Sequence, residues 1–263
     1  MKKTLIKAMV AGTLFASLLS FVGCGSTPKA DSTIKVNIDN KLAKLNSIGS
    51  RMVSIPGTGY SMLNTEVTQK LYASVMGSNP SYYEGTNNPV ENVSWYDAIY
   101  FCNKLSEKLG FTPVYAVDGK TDVATWNYTP HNGNSIGGEV TQNTKANGFR
   151  LPTLEEWEYA AKGGQNYEYS GSNNLDEVGW YHGNSEDETH PVAQKKANGY
   201  GLYDMSGNIC EWCWDVDPYN DYRLYCGGSC SYDDGSCEVS RRYYSNADYQ
   251  SDSIGFRIVC NAD

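Results

Sequence analysis

The chain has 263 residues, a formal net charge of −9, 26 Gly, and 21 Tyr against only 6 Phe and 6 Trp. That length fits one large domain or two small ones, and 40% hydrophobic against 19% charged residues is the balance of a folded chain. The acidic surplus excludes nucleic acid as the expected partner, because phosphate contacts need clustered Lys and Arg.

The N-terminus sets the expected compartment. Lys2, Lys3 and Lys7 precede the apolar run Ala8–Val22, too short to cross a bilayer comfortably and of the size of a secretion leader. Phe21-Val22-Gly23-Cys24 resembles the lipobox of bacterial lipoproteins, with Phe21 where Leu is usual. The resemblance implies a signal peptide over 1–23, acylation of Cys24, and a protein held by its lipid anchor at the outer membrane or cell surface. Plain secretion is the alternative. Loss of the three Lys takes the net charge from −9 to −12, and residues 24–35, with the string GSTPKADST, read as a flexible tether.

From residue 36 to 263 no repeat, low-complexity tract or linker interrupts the chain, which predicts a single domain. Met52–Ile55 and Val114–Val117 are short apolar runs bounded by turn formers and predict strands. Ser94 followed by Asp97 reads as a capping box, with Ala98, Ile99, Cys102 and Leu105 on one helical face behind it. A second box, Thr153 and Glu156, precedes Trp157, Ala160 and Ala161 and ends at Gly163-Gly164. The polar stretch from Asp118 to Asn147 predicts a hairpin with a long surface loop. Few helices among many short strands and long loops predict an α+β fold.

Trp95, Trp157 and Trp212 follow turn or cap signals and are expected in the core. Arg150 and Arg257 each follow Gly-Phe and are expected to make charge-assisted bonds to carboxylate or backbone. His131, His182 and His190 lack ligand-like spacing and read as solvated loop residues. Cys210 and Cys213 form C-x-x-C without a second pair or a thioredoxin-like context.

Several strings, in order, resemble the formylglycine-generating-enzyme, or sulfatase-modifying-factor, family. They are MVSIP from Met52, Glu66-Val67-Thr68, PVENVSWYDAIYFC from Pro89, GFRLPTLEEWEYAAKGG from Gly148, YGLYDMSGNICEWCWD from Tyr200, Gly227-Gly228-Ser229 and Gly255-Phe256-Arg257. The resemblance implies an irregular C-type-lectin-like fold. It also implies a Cys102–Cys260 disulfide, and a structural calcium ion on the side chains of Asp204 and Glu211 and the carbonyls of Gly207 and Ile209. No other cofactor is expected. The family's two copper-binding thiols would fall at Tyr232 and Cys237, so one is missing and Cys230 lies two residues out of register. A soft metal site tolerates that loss poorly. The expectation is therefore not an enzyme, with the copper- and oxygen-dependent oxidation of a peptidyl cysteine as the alternative.

The tail departs from ordinary composition. Five of the 21 Tyr fall in the 31 residues Arg223–Ser253, beside many Ser and Asp and no Lys, Thr, Ile, Phe or Trp. Tyr gives amphipathic contact area at low rotamer cost and Ser, Gly and Asn give adaptable hydrogen bonds, which is the chemistry of a recognition surface. Codons for Tyr, Asp, Ser, Cys and Gly are all reached from Asn by changing adenines. The segment thus resembles the variable region, about 223–257 here, of proteins diversified by retroelements on a lectin-like fold. The resemblance implies a monomer that binds an unknown macromolecular ligand, a protein or glycan on another cell. Its contact residues would be Tyr225, Ser231, Tyr232, Asp233, Asp234, Ser236, Tyr243, Tyr244, Ser245, Asn246, Tyr249, Ser251, Asp252 and Ser253. The four Asp, counting Asp248, favour a cationic or hydroxyl-rich patch.

Overall fold

The computed structural model describes Asn40 and residues 51–261. The leader, the tether and Cys24 lie outside the described residues. The described residues include the helices α1 (Gln69–Met76), α2 (Trp95–Leu109), α3 (Leu154–Lys162) and α4 (Leu175–Val178). The strands are β1 (Met52–Ser54), β2 (Tyr60–Leu63), β3 (Tyr115–Val117), β4 (Val140–Gln142), β5 (Phe149–Arg150), β6 (Cys210–Val216), β7 (Arg223–Cys226), β8 (Arg242–Ser245), β9 (Ile254–Gly255) and β10 (Val259–Asn261). They form a sheet of order β1-β2-β10-β5, the hairpin β3-β4, and a sheet of order β8-β7-β6-β9. The architecture is α+β, as the sequence predicts.

Local chemistry fixes the two long helices. Ser94 accepts from Asp97 N while Asp97 Oδ2 accepts from Ser94 N at 2.9 Å, so the box closes reciprocally at the start of α2. Thr153 and Glu156 do the same for α3, which stops at Gly163 in the left-handed region. The sequence reading omitted α1, which is capped by Thr68 alone and carries no acidic residue in its first turn. The stretch from Asp118 to Asn147 differs from its expectation. It pairs β3 with β4, but Val123, Trp126, Tyr128 and Ile136 within it are buried in the main core, where Trp126 and Tyr128 pack on Tyr100 of α2.

One core joins α1, α2 and the aromatic residues of β6, and a second joins α3, β2 and the other face of β6. Trp95, Trp157 and Trp212 are fully buried, and each indole N–H is satisfied, by Cys213 O, Glu211 Oε2 and Val93 O. Arg150 and Arg257 take the expected structural role. Arg150 forks onto Glu156 at 2.6 and 2.7 Å, and Arg257 onto Glu211. Two histidines depart from the solvated reading. His131 is half-buried between Tyr72 Oη and Asp97, and His190 stacks on Trp180 at 3.8 Å, whereas His182 is exposed.

No disulfide joins the described cysteines. The resemblance pairs Cys102 with Cys260. Both residues are buried in the main core, where the ladder between β10 and its neighbours β2 and β5 already holds Cys260 in register.

Candidate functional site

The candidate residues are brought together by the edge of the second sheet. Strand β6 is its spine, with β7 antiparallel on one side and the short β9 parallel on the other. The tail leaves through β7, folds back as β8 on the outer edge, and returns at β9. Two glycines start it. Gly227 and Gly228 both have positive φ, and a Cβ on Gly228 would lie 2.5 Å from Cys237 Sγ.

Three pieces make the face. The turn 231–236 is ordered by Asp233, which caps the short 3-10 helix Asp234–Cys237 by accepting from Ser236 N at 2.9 Å. Strand β8 follows, and Tyr243 Oη ties it to that turn by donating to Ser236 O at 3.0 Å. The arch 246–253 then rests on the start of α2. Asn92 N donates to Ser251 O, Tyr96 N to Ala247 O, and Gln250 Nε2 to the buried Asp97 at 3.0 Å. Ser135 Oγ holds Asp248 at 3.0 Å.

Burial sorts the predicted contact set. Ser231, Asp233, Asp234, Tyr244, Asn246, Tyr249 and Asp252 are exposed, with Tyr244 at 53% and Tyr249 at 45%. Tyr232, Ser236, Tyr243, Ser245 and Ser251 are half-buried. Tyr225 and Ser253 correct the prediction, since each is only 8% exposed. Tyr225 faces inward between Trp212 at 5.1 Å and Tyr243 at 5.5 Å, and the Ser253 carbonyl accepts from Cys210 N where the chain rejoins β6. These two are frame, not face. Tyr222 is a residue that sequence reasoning missed: it lies just before β7 and stacks on Tyr244 at 6.0 Å.

The position of the missing family thiol is filled. Tyr232 packs edge-on against Tyr243 at 5.4 Å. Burial raises the Cys230 and Cys237 thiols to about 12, with Asp252 adding to the first and Asp233 to the second.

Of the residues implied for calcium, Glu211 is already engaged and Asp204 is engaged in part. Both Glu211 oxygens are taken, Oε1 by Arg257 Nη2 at 2.7 Å and Oε2 by Arg257 Nε at 3.0 Å and Trp157 Nε1 at 2.7 Å. Asp204 Oδ2 accepts from Ala193 N at 2.7 Å, while its buried Oδ1 has no hydrogen-bond partner. A guanidinium already supplies the positive charge here.

A second buried acid lies under the arch. Glu91 accepts from Tyr83 N through Oε1, its Oε2 has no hydrogen-bond partner, and burial raises its carboxyl to about 7, with Asp252 a further contributor.

Known proteins bear on this geometry. The chain is 37% identical over 287 residues to the Chaperone protein LppX of Paenibacillus barcinonensis, an alignment spanning 98% of this chain and 99% of that relative. It superimposes on Treponema denticola variable protein 1 with a TM-score of 0.71 at 36% identity, covering 81% of this chain and 92% of that one. It is also 30% identical over 196 residues to the bovine Inactive C-alpha-formylglycine-generating enzyme 2, covering 66% of this chain and 58% of that relative. The fold is thus the lectin-like one expected from the motifs. The family model for the sulfatase-modifying factor enzyme 1-like domain matches residues 39–262, and the chain belongs to that family.

Proposed function

We propose that the protein is a surface-displayed, lipid-anchored binding protein, and that its 231–252 face, diversified by a retroelement, recognises macromolecular ligands without making or breaking a bond. One observation carries the reading: the outward side chains stand on a frame pinned at Gly227-Gly228, at β9 and at α2, so they can change without changing the fold. Preorganisation of this kind lowers the ordering cost of binding. The likeness to a variable protein supports it, as does Tyr232 standing, packed against Tyr243, at the position of one of the family's two copper thiols. The alignment with LppX spans 98% of the chain and so extends into the leader, which supports a shared export signal.

The same relative favours a second reading, in which this face holds a client polypeptide and does not vary. Sequencing the gene from several isolates separates the two. Substitutions confined to residues 231–252 support diversification; an invariant tail supports a dedicated client. Binding of one cuprous ion by the purified protein, lost in Cys237→Ser, would overturn both in favour of the enzyme.

A further inference from the structure

Two of the cysteines that motif reasoning left unassigned meet across the second sheet. Glu211 pairs with Cys226 and Trp212 with Tyr225, so Cys213, two residues beyond Glu211, projects to the same side as Cys226. The ladder then shifts register between Trp212 and Val216, the interval that holds Cys213. Cys213 Sγ donates to Glu211 O at 4.0 Å, both thiols are fully buried, and both belong to the core around Trp157 and Met205. Cys210 belongs to the other core, with Trp212 and Tyr225, because a three-residue offset along a strand reverses the side. The C-x-x-C spacing is therefore no dithiol, and Cys226 is the neighbour of Cys213.

We propose that Cys213 and Cys226 are a redox pair that closes as a cross-strand disulfide when the chain folds in an oxidising medium. The oxidant is a dithiol–disulfide exchange partner. The Cys213 thiolate attacks one sulfur of the partner disulfide and expels the other as a thiol. The Cys226 thiolate then attacks Cys213 Sγ, forming the intramolecular bond and releasing the second partner thiol. Two S–H bonds are lost, one S–S bond is exchanged for another, and the partner leaves as a dithiol. Both sulfurs are sealed in the finished core, so exchange precedes closure of the face against α3. The bond straps β6 to β7 immediately before the Gly-Gly turn, and so braces the strand from which the candidate face departs. It does not depend on that face binding anything.

The test uses the full chain refolded from denaturant with glutathione and glutathione disulfide, quenched in acid, then alkylated with N-ethylmaleimide in denaturant without reductant. Fragmentation of the digest is expected to find Cys213 linked to Cys226 in most molecules. In Cys226→Ser, Cys213 is expected to become alkylated. Labelling in denaturant reads the same whether or not the variant folds well. Alkylation of both residues in the wild-type chain, or a link from Cys213 to any other cysteine, would overturn the proposal.

Discussion

Replacing Arg257 by Met removes the one cation from a buried acid cluster. The guanidinium is fully buried and makes five contacts: Nε to both Glu211 oxygens at 3.2 and 3.0 Å, Nη2 to Oε1 at 2.7 Å, and Nη1 and Nη2 to the carbonyls of Leu63 and Tyr203 at 2.9 and 2.8 Å. Met fills much of the volume but leaves the buried Glu211 carboxyl without its counter-ion, a loss of about 3–5 kcal/mol, with about 1–3 kcal/mol more for each stranded carbonyl. Glu66 and Asp204 repel the same charge. In a domain of this size each kcal/mol moves Tm by about 2–4 °C, so a fall of roughly 10 °C or more is expected by calorimetry. Urea unfolding should show a lower midpoint with an unchanged slope. Adding Glu211→Gln should return about 2 kcal/mol, because it removes the uncompensated charge, and this double variant reads the term even if the single one accumulates poorly. A single-variant loss under about 1 kcal/mol, or no recovery in the double variant, would refute the idea that the pair is an electrostatic keystone.

The same cluster makes stability depend on pH. Burial raises Asp204 from 3.8 to about 6 and Glu66 well above 4.5, so the folded chain holds protons that the unfolded chain releases. Their contribution is full below the unfolded values and is lost as pH rises through about 6 and beyond; Asp204→Asn, which tolerates the φ of 57° there, should flatten the fall of Tm with pH, and an unaltered slope would count against it. Tyr244→Ser and Tyr249→Ser should change stability by less than about 0.5 kcal/mol, whereas Tyr225→Ser should cost about 3 kcal/mol; equal losses would dissolve the distinction between face and frame. Chelation with excess EGTA should leave Tm unchanged, because the Glu211 carboxylate is already committed to Arg257 and Trp157; a clear drop would mean that calcium binds by ligands other than those described.

What was legible followed from short-range chemistry. The boxes at Ser94 and Thr153 and the stop at Gly163 need only neighbouring residues, so they appear in the string itself. Helix α1 was missed because Thr68 caps it without a reciprocating acid, and its buried Gln69 is engaged elsewhere, with Tyr83 O, Pro89 O, Gly85 N and Asn79. Tyr225 and Tyr243 look alike in a Tyr-rich tail, yet only the pairing of β7 with β6 decides that the first is sealed against Trp212. The acid cluster was invisible for the same reason. Glu66 and Glu211 are 145 residues apart and meet only because Asn208 and Ile209 reach back to the former while Arg257 grips the latter.

The placement of β7 and β9 on opposite flanks of β6 has a consequence for length as well as for composition. The segment between them begins and ends two strand spacings apart, about 10 Å, whatever lies between. Closing such a span costs free energy only as the logarithm of the number of residues, so doubling the segment would add merely about 0.6 kcal/mol. Insertions and deletions beyond β8 are therefore tolerable where the same changes within β6 would shift register and expose the core. The fold accommodates not just new residues at fixed positions but new reach.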